Sequence, residues 1–261
     1  VEGADPNLLS LDLYVPAGAK AAPLMVMIHG GGWRLGDKAN AGMTEAKVPH
    51  FTAAGWAYAS VNYRLSPAVR HPVHVEDVAK AIAWLHDHVR EYGGDPERIF
   101  LMGHSAGAHL AALVATDHRR LEAEGKTLAI LDGVVLLDGA GYDLGRLAEE
   151  RGSRGLGGLY ESAFGTDPVV WRDASPITHV APDKGIPPFL VFHAGRRPAS
   201  EVLSKALVEK LCSNREAART LHPPDRDHGG MNRCIGRSGD PYTRAIMGFL
   251  AEPHAAGSPS R

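Results

Sequence analysis

The sequence lacks the features that mark disulfide-rich, membrane-spanning and nucleic-acid-binding proteins. Its 261 residues include only two cysteines, Cys212 and Cys234, too few for a disulfide framework and not spaced as metal ligands. No apolar run approaches the roughly 20 residues that cross a bilayer. The 28 basic and 30 acidic residues nearly cancel, so no charge excess favours nucleic acid or an anionic membrane.

Two further expectations follow from these absences. The cysteines are predicted to be separate thiols, although a single bridge between them stays open. The first residues show no basic segment followed by an apolar one, which slightly favours a soluble, cytoplasmic protein over a secreted one. A signal peptide that had already been removed would leave the same sequence.

Short apolar runs alternate with helix-like segments along most of the chain. The pattern at residues 9–15 predicts an antiparallel strand, and residues 95–98 (DPER) a turn. Buried strands are predicted at residues 24–28, 57–61, 99–102, 134–137 and 189–192, and helices at 76–92, 106–116, 202–211 and 241–250. Ser200 is placed near the cap of the third helix and Asp240 at the cap of the fourth. This order predicts a single α/β domain over residues 1–261, with a mostly parallel sheet covered on both faces and a loose tail at 251–261.

Residues 141–171 depart from this rhythm. They are rich in Gly, Arg and Glu but include the large side chains Tyr160, Phe164 and Trp171. An insertion of this length in an α/β domain often lies over the functional edge of the sheet. We therefore expect a lid or pocket wall, with a solvated loop as the alternative.

A nucleophile motif lies between a predicted strand and a predicted helix. Residues 103–107 (GHSAG) fit G-x-S-x-G, in which the serine, here Ser105, sits on a strained turn with its hydroxyl exposed. The helix that follows directs its positive dipole end toward a developing oxyanion. An ordinary glycine-flanked helix cap is the alternative.

A glycine-rich segment follows the strand predicted at residues 24–28. Residues 29–33 (HGGGW) let backbone N–H groups approach a substrate oxygen without interference from Cβ atoms. The predicted oxyanion donors are the N–H groups of Gly31, Gly32 and Ala106. A phosphate-binding loop is disfavoured, because neither a P-loop Lys-Ser/Thr nor G-x-G-x-x-G is present.

Together these motifs resemble the α/β-hydrolase superfamily, and within it the hormone-sensitive-lipase-like and bacterial feruloyl-esterase-like carboxylesterases. The match covers roughly residues 8–250, with motifs in family order at 11–16 (LDLYVP), 29–33, 63–66 (YRLS), 71–77, 95–99 and 103–107. The resemblance implies hydrolysis of carboxylic esters through a Ser–His–acid triad, without metal or organic cofactor. Kynurenine formamidases share the His-Gly-Gly-x-Trp element, so hydrolysis of an amide or formamide is the neighbouring possibility.

The resemblance also points to the base. His228, in the segment Asp227-His228-Gly229-Gly230, falls where the family places its catalytic histidine. His222 is the second candidate among the 14 histidines. His104 and His193 border the expected site, where they would pack against the base or tune it.

The acid is where the sequence departs from the family. The usual position, after the strand at 189–192, is occupied by Arg197, which cannot accept a hydrogen bond from an imidazole. Asp138 directly follows the preceding strand, at the edge where active sites collect, an arrangement that resembles pancreatic lipases. We predict Asp138 as the acid, with Glu201 as the second candidate and Asp225 as the third.

The substrate is less well determined by the sequence. Trp33, Tyr63, His104 and Tyr160 are predicted to contact it, although each could belong to the core. Arg196 and Arg197 could meet an anionic group or form surface ion pairs, and the latter is favoured. The predicted partner is a small-molecule ester of short-chain or aryl type. The alternatives are an amidase or arylformamidase of the same fold and a non-catalytic binding module.

Overall fold

Alternating strands and helices build one seven-stranded sheet, seen in a computed structural model that describes residues 3–151, 157–195 and 197–253. The strands are β1 (Leu11–Tyr14), β2 (Ala22–Ile28), β3 (Ala57–Val61), β4 (Gly94–His104), β5 (Leu131–Leu137), β6 (Phe189–Phe192) and β7 (Ala218–Leu221). Their order in the sheet is β1-β3-β2-β4-β5-β6-β7. Only β1 pairs antiparallel, with β3, and the other pairs are parallel. The predicted α/β class and mostly parallel sheet are confirmed.

Helices connect the strands and cover the sheet. They are α1 (Ala41–Thr44), α2 (Lys47–Ala53), α3 (Val73–His88), α4 (Ala106–Thr116), α5 (Arg119–Glu122), α6 (Leu144–Arg151), α7 (Gly158–Phe164), α8 (Pro168–Asp173), α9 (Pro176–His179), α10 (Pro198–Ser213), α11 (His228–Arg233) and α12 (Pro241–Leu250). Short 3-10 turns cover Pro6–Leu9, Val89–Tyr92 and Leu128–Ile130. In the described ranges, no helix is both long enough and apolar enough to cross a membrane.

The core lies in two layers, one on each face of the sheet. Alternate residues of β2 divide between them: Leu24, Val26 and Ile28 join one layer, and Met25 and Met27 join the other. Helices α3, α4 and α10 contribute to the first layer, and α2 and α12 to the second. Burial on both faces explains why the central strands are continuous apolar runs and not alternating patterns.

Several local predictions need correction. The turn predicted at residues 95–98 is wrong, because these residues lie within β4, which pairs with β2 on both sides of a register shift. The insertion forms helices α6, α7 and α8 in its described part, and residues 152–156 lie outside the described residues. Of the expected tail, residues 254–261 also lie outside them. The cysteines are confirmed as free thiols.

An ionic network ties the end of the insertion to the scaffold. Arg119 donates to Asp117 through Nε and Nη2, both at 2.7 Å, and its Nη2 also reaches Asp173 at 2.7 Å. Arg120 joins the same two carboxylates. Donor atoms of Asp117, Asp173 and His179 lie within 4.8 Å of one another, a spacing suited to a metal ion. Arg119 and Arg120 already bind the carboxylates of Asp117 and Asp173, so we assign the cluster a structural role. It fixes α8 against α4 and α5.

Candidate active site

The residues predicted to act together meet at the carboxyl edge of the sheet. Ser105 follows β4, Asp138 follows β5, and His29 follows β2. His228 is the first residue of α11, in the segment after β7. Since the carboxyl ends of neighbouring parallel strands share one edge, residues far apart in sequence come within hydrogen-bonding distance there.

Ser105 sits on a strained turn between β4 and α4. Its φ of 56° and ψ of −118° lie in a region that non-glycine residues rarely adopt. Its N–H donates to the carbonyl of Leu137 at 3.0 Å, which anchors the turn to β5. A Cβ at Gly107 would lie 2.1 Å from the carbonyl oxygen of Ile28, so only glycine permits this approach of α4 to β2. This geometry is the one expected for a G-x-S-x-G turn.

His228 links the serine to a carboxylate. Its Nε2 lies 3.0 Å from Ser105 Oγ, and its Nδ1 lies 2.6 Å from Asp138 Oδ2. The residue before it, Asp227, caps α11 by accepting a hydrogen bond from the N–H of Gly230 at 2.5 Å. This cap fixes the first turn of the helix and with it the backbone of His228.

His104 contacts both the backbone and the ring of His228. Its Nε2 donates to the carbonyl of His228 at 2.9 Å, and the two rings lie 4.5 Å apart between centroids. Burial, and then the neighbouring His228, lower the pKa of His104 to about 3, so its ring is neutral at physiological pH. The ring is buried and packs against His228, and its contact with the substrate stays a prediction.

Asp138 is a fully buried carboxylate held by several donors. Oδ1 accepts hydrogen bonds from the N–H of Ala194 at 2.9 Å and from the hydroxyl of Ser200 at 2.6 Å. Burial by itself raises the pKa of Asp138. The hydrogen bonds from His228, Ala194, Ser200 and Arg197 outweigh it and hold this pKa well below its usual range. The carboxylate is therefore ionised and can accept a hydrogen bond from the Nδ1–H group of His228.

Arg197 contacts the same pair of residues. Its Nη1 lies 2.8 Å from Oδ2 and 3.0 Å from the backbone oxygen of Asp138, and 2.7 Å from His228 Nδ1. Arg197 therefore lies beside Asp138, which follows β5 and is the predicted acid. The expected surface ion pair is wrong for Arg197, because its partner is this buried carboxylate; Arg196 lies outside the described residues.

The other candidate acids and bases are engaged elsewhere. Glu201 is exposed and pairs with Lys205 at 2.7 Å, one turn along α10. Asp225 accepts a hydrogen bond from the hydroxyl of Tyr242 at 2.5 Å. His222 stacks on His193 with 4.8 Å between ring centroids. None of these contacts involves Ser105 or His228.

The glycine-rich loop lies against the serine. A Cβ at Gly30 would lie 3.0 Å from the Cβ of Ser105. Gly31 has a φ of 118°, and a Cβ there would lie 1.9 Å from the carbonyl oxygen of Leu35, so the loop requires glycine at this position. Ala106 is the first residue of α4, where N–H groups have no partner within the helix.

Buried aromatic residues hold this loop in place. The hydroxyl of Tyr63 donates to the carbonyl of His29 at 3.0 Å, and their rings stack at 4.4 Å. Trp33 is nearly buried and packs against Phe164 and Tyr160 of α7, with ring centroids 4.8 and 5.3 Å away. Trp33 and Tyr63, predicted to contact substrate, therefore lie in the core beneath the loop, whereas Tyr160 is partly buried.

One exposed apolar side chain of the insertion lies on the loop. Leu159 of α7 is 49% exposed, and a Cβ at Gly32 would lie 3.0 Å from its Cδ1. The described part of the insertion therefore borders the candidate site.

Sequence reasoning missed two supports of the site. Ser200, expected at a helix cap, lies within the first turn of α10 and faces Asp138. Lys47 is buried at the start of α2, and its Nζ donates to the carbonyls of Gly42 and Asn232 and to Asn232 Oδ1 at 2.6, 2.5 and 2.9 Å. Burial lowers the pKa of Lys47 to about 7. No motif marks either residue, although helical spacing places Ser200 one turn after Arg197.

Known proteins share sequence with most of this chain. The sequence model of the BD-FAE family matches residues 11–211. Esterase LipC of Mycobacterium tuberculosis is 33% identical over 97% of this chain and 64% of LipC. The probable carboxylic ester hydrolase LipM of the same organism is 36% identical over 66% of this chain and 40% of LipM. The chain thus spans between 40% and 64% of the length of these two curated relatives.

A solved structure extends the comparison to the fold. The propionate-bound structure of Est2, a thermophilic esterase from Thermogutta terrifontis, superposes with a TM-score of 0.72 at 26% identity. The superposition covers 96% of this chain and 91% of Est2. The sheet described above is therefore that of the α/β-hydrolase fold.

Proposed function

Since the chain belongs to the BD-FAE family, we propose that it is a serine carboxylesterase that cleaves short-chain or aryl esters through an acyl-enzyme. The observation that carries the proposal is the position of His228, hydrogen-bonded to Ser105 Oγ at 3.0 Å and to Asp138 Oδ2 at 2.6 Å. The esterase names of LipC, LipM and Est2 support the same class of reaction. No metal or organic cofactor takes part in the proposed reaction.

Acylation begins with transfer of a proton from Ser105 Oγ to Nε2 of His228 as the oxygen attacks the acyl carbon. Asp138 accepts the Nδ1 proton in a hydrogen bond and stabilises the imidazolium that forms. The N–H groups of Gly31, Gly32 and Ala106 receive the negative charge on the carbonyl oxygen. The C–O bond to the alcohol then breaks, and the imidazolium returns the proton to the departing oxygen.

Deacylation repeats these steps with water. His228 removes a proton from the water while its oxygen attacks the acyl carbon of the ester on Ser105. The tetrahedral intermediate then collapses, Ser105 recovers its proton from the imidazolium, and the carboxylic acid leaves. The free enzyme is restored with no net change in its protons.

The surroundings of the loop support a small acyl group. Trp33 and Phe164 are both nearly buried and fill the space beneath the oxyanion loop. Leu159 covers Gly32 from the solvent side. A small acyl group fits beside these side chains without moving them. A long chain would have to displace them from their packing.

The proposal is tested by hydrolysis of p-nitrophenyl acetate, butyrate and octanoate. We expect kcat/KM to be highest for acetate or butyrate, and activity to vanish in Ser105→Ala. Ser213→Ala is the matched control, because Ser213 lies on the exposed end of α10 and donates only to the carbonyl of Lys210. Covalent labelling of Ser105 by a fluorophosphonate measures the nucleophile independently of the ester chosen.

The alternatives give different results in the same experiments. Faster cleavage of acetanilide or formanilide than of the acetate ester would replace the esterase by an amidase or arylformamidase. A folded protein that neither hydrolyses these compounds nor reacts with the fluorophosphonate would indicate a binding module. Equal activity of Ser105→Ala and the wild type would contradict a serine mechanism.

A further inference from the structure

Arg197 is a cation placed directly on the hydrogen bond between the proposed acid and the proposed base. Its side chain is 35% exposed, whereas the Asp138 side chain beneath it is fully buried. Nη1 approaches three atoms: Oδ2 and O of Asp138 at 2.8 and 3.0 Å, and Nδ1 of His228 at 2.7 Å. The proposed mechanism above gives this residue no role.

The two contacts of Arg197 Nη1 with Asp138 leave Nη1 no hydrogen for Nδ1 of His228. Nη1 of a guanidinium carries two hydrogens, and Oδ2 and the backbone oxygen of Asp138 can accept one each. Because Asp138 is ionised, the hydrogen between Oδ2 and Nδ1 belongs to His228. The close approach of Nη1 to Nδ1 therefore brings two donors together on one acceptor oxygen.

This sharing affects the charged form of His228 more than the neutral form. When His228 takes the proton of Ser105, its ring becomes a cation beside a second cation. Asp138 stabilises that imidazolium, but part of its charge is already compensated by Arg197. A like charge within about 4–6 Å disfavours the charged form of a titrating group.

Three other titratable groups near His228 do not place a positive charge beside its hydrogen bond with Asp138, as Arg197 does. His104 packs on the ring from the end of β4 and is neutral. Asp227 caps the helix that begins at His228, and its carboxylate accepts a hydrogen bond from the N–H of Gly230. Lys47 is turned toward the carbonyls of Gly42 and Asn232.

We propose that Arg197 is a positioning residue that holds Asp138 in place and disfavours the imidazolium of His228, so that the neutral base persists to lower pH. The inference rests on the proposed esterase function and deepens it. Arg197 would thereby extend the working range of the enzyme toward acidic pH.

The test compares the pH dependence of kcat/KM for p-nitrophenyl acetate in the wild type, Arg197→Met, Arg197→Gln and Arg197→Lys. Removing the charge in the Met and Gln variants is expected to move the acidic limb to higher pH by about one unit. Arg197→Lys keeps a cation and is expected to restore most of the wild-type position. Arg219→Met is the matched control, because Arg219 lies on β7 and pairs with the exposed Glu252.

A second measurement keeps this inference separate from the esterase proposal. Titration of the His228 ring by NMR in the Ser105→Ala background reports its charge without any turnover. A midpoint that rises in Arg197→Met supports the role of Arg197 even if no ester is cleaved. A midpoint that is unchanged or lower in both neutral variants, with the fold intact, overturns it.

Discussion

The hydroxyl of Ser200 lies 2.6 Å from Oδ1 of Asp138, although 62 residues separate them in the chain. One oxygen of the carboxylate thus faces α10 and the other faces His228. Asp138 has a positive φ of 47°, a backbone conformation that few non-glycine residues adopt. The contact with Ser200 fixes the rotation of the carboxylate that the base requires.

Ser200→Ala removes one hydrogen bond from a buried charge. We expect the free energy of unfolding to fall by about 2 kcal/mol, as for other hydrogen bonds to charged groups. Urea denaturation at pH 7.5 measures the change. Ser213→Ala on the exposed end of the same helix is the control and should change stability by less than about 0.5 kcal/mol. Equal effects of the two substitutions would mean that the Ser200 contact contributes little.

Asp138→Asn tests the assignment of the acid. The amide can donate to Nδ1 of His228, which favours the tautomer that cannot remove the proton of Ser105. We expect kcat to fall on the order of 10⁴-fold while circular dichroism stays unchanged. Glu201→Gln is the matched control, since Glu201 is the second candidate for the acid and pairs with Lys205 one turn along α10. A larger loss in Glu201→Gln than in Asp138→Asn would move the acid to α10.

Stability should fall as the pH is lowered from about 6.5 toward 4. Burial lowers the pKa of His104 and of His109 to about 3, so the unfolded chain binds protons in this range that the folded chain does not. Each of these histidines then costs about 2 kcal/mol of stability by pH 5. Below about pH 4 the stabilisation from the lowered pKa of Asp138 is lost as well.

Urea denaturation at pH 7.5 and pH 5.0 checks this pH dependence. His109→Gln should reduce the difference between the two stabilities by about 2 kcal/mol. His88→Gln, at a side chain that is 41% exposed, is the control. The same difference in His109→Gln as in the wild type would show that His109 is not held neutral.

Gly31→Ala tests the oxyanion loop. The added Cβ would lie 1.9 Å from the carbonyl oxygen of Leu35, so the loop must shift and its N–H donors with it. We expect a loss of about 10²–10³-fold in kcat, as for removal of one oxyanion donor. Gly248→Ala on the exposed side of α12 meets no atom within 4 Å and should instead stabilise the fold by about 1 kcal/mol. Wild-type kcat in Gly31→Ala would remove the loop from the proposed mechanism.

Elements with strong local signals were predictable from the sequence. Residues 57–61, 106–116, 189–192 and 241–250 form the predicted strands and helices with the same bounds. The sheet order brings the ends of β4 and β5 side by side, where the positions after them carry Ser105 and Asp138. Apolar runs of strand length and glycine punctuation are enough to predict these four elements, whereas the strand order is seen only in the structure.

Features that depend on contacts between distant segments were not predictable. Helices α7 and α8 are too short to be stable alone. Phe164 of α7 packs against Trp33, and Asp173 of α8 pairs with Arg119 and Arg120. A tyrosine in the expected pocket, Tyr63, is buried because its hydroxyl finds the carbonyl of His29. The meeting of Arg197 with Asp138 depends on β5 and β6 being neighbours, which spacing along the chain does not reveal.

The contacts of His228 Nδ1 show two positions in this fold from which a carboxylate could reach it. The end of β5 and the turn after β6 reach the same imidazole from adjacent strands. A chain with acids at both places would keep an acceptor for Nδ1 whichever one mutated next. In such a chain either position could change without loss of the acceptor, whereas in this chain position 197 carries a cation and, of the two positions, only 138 carries an acid.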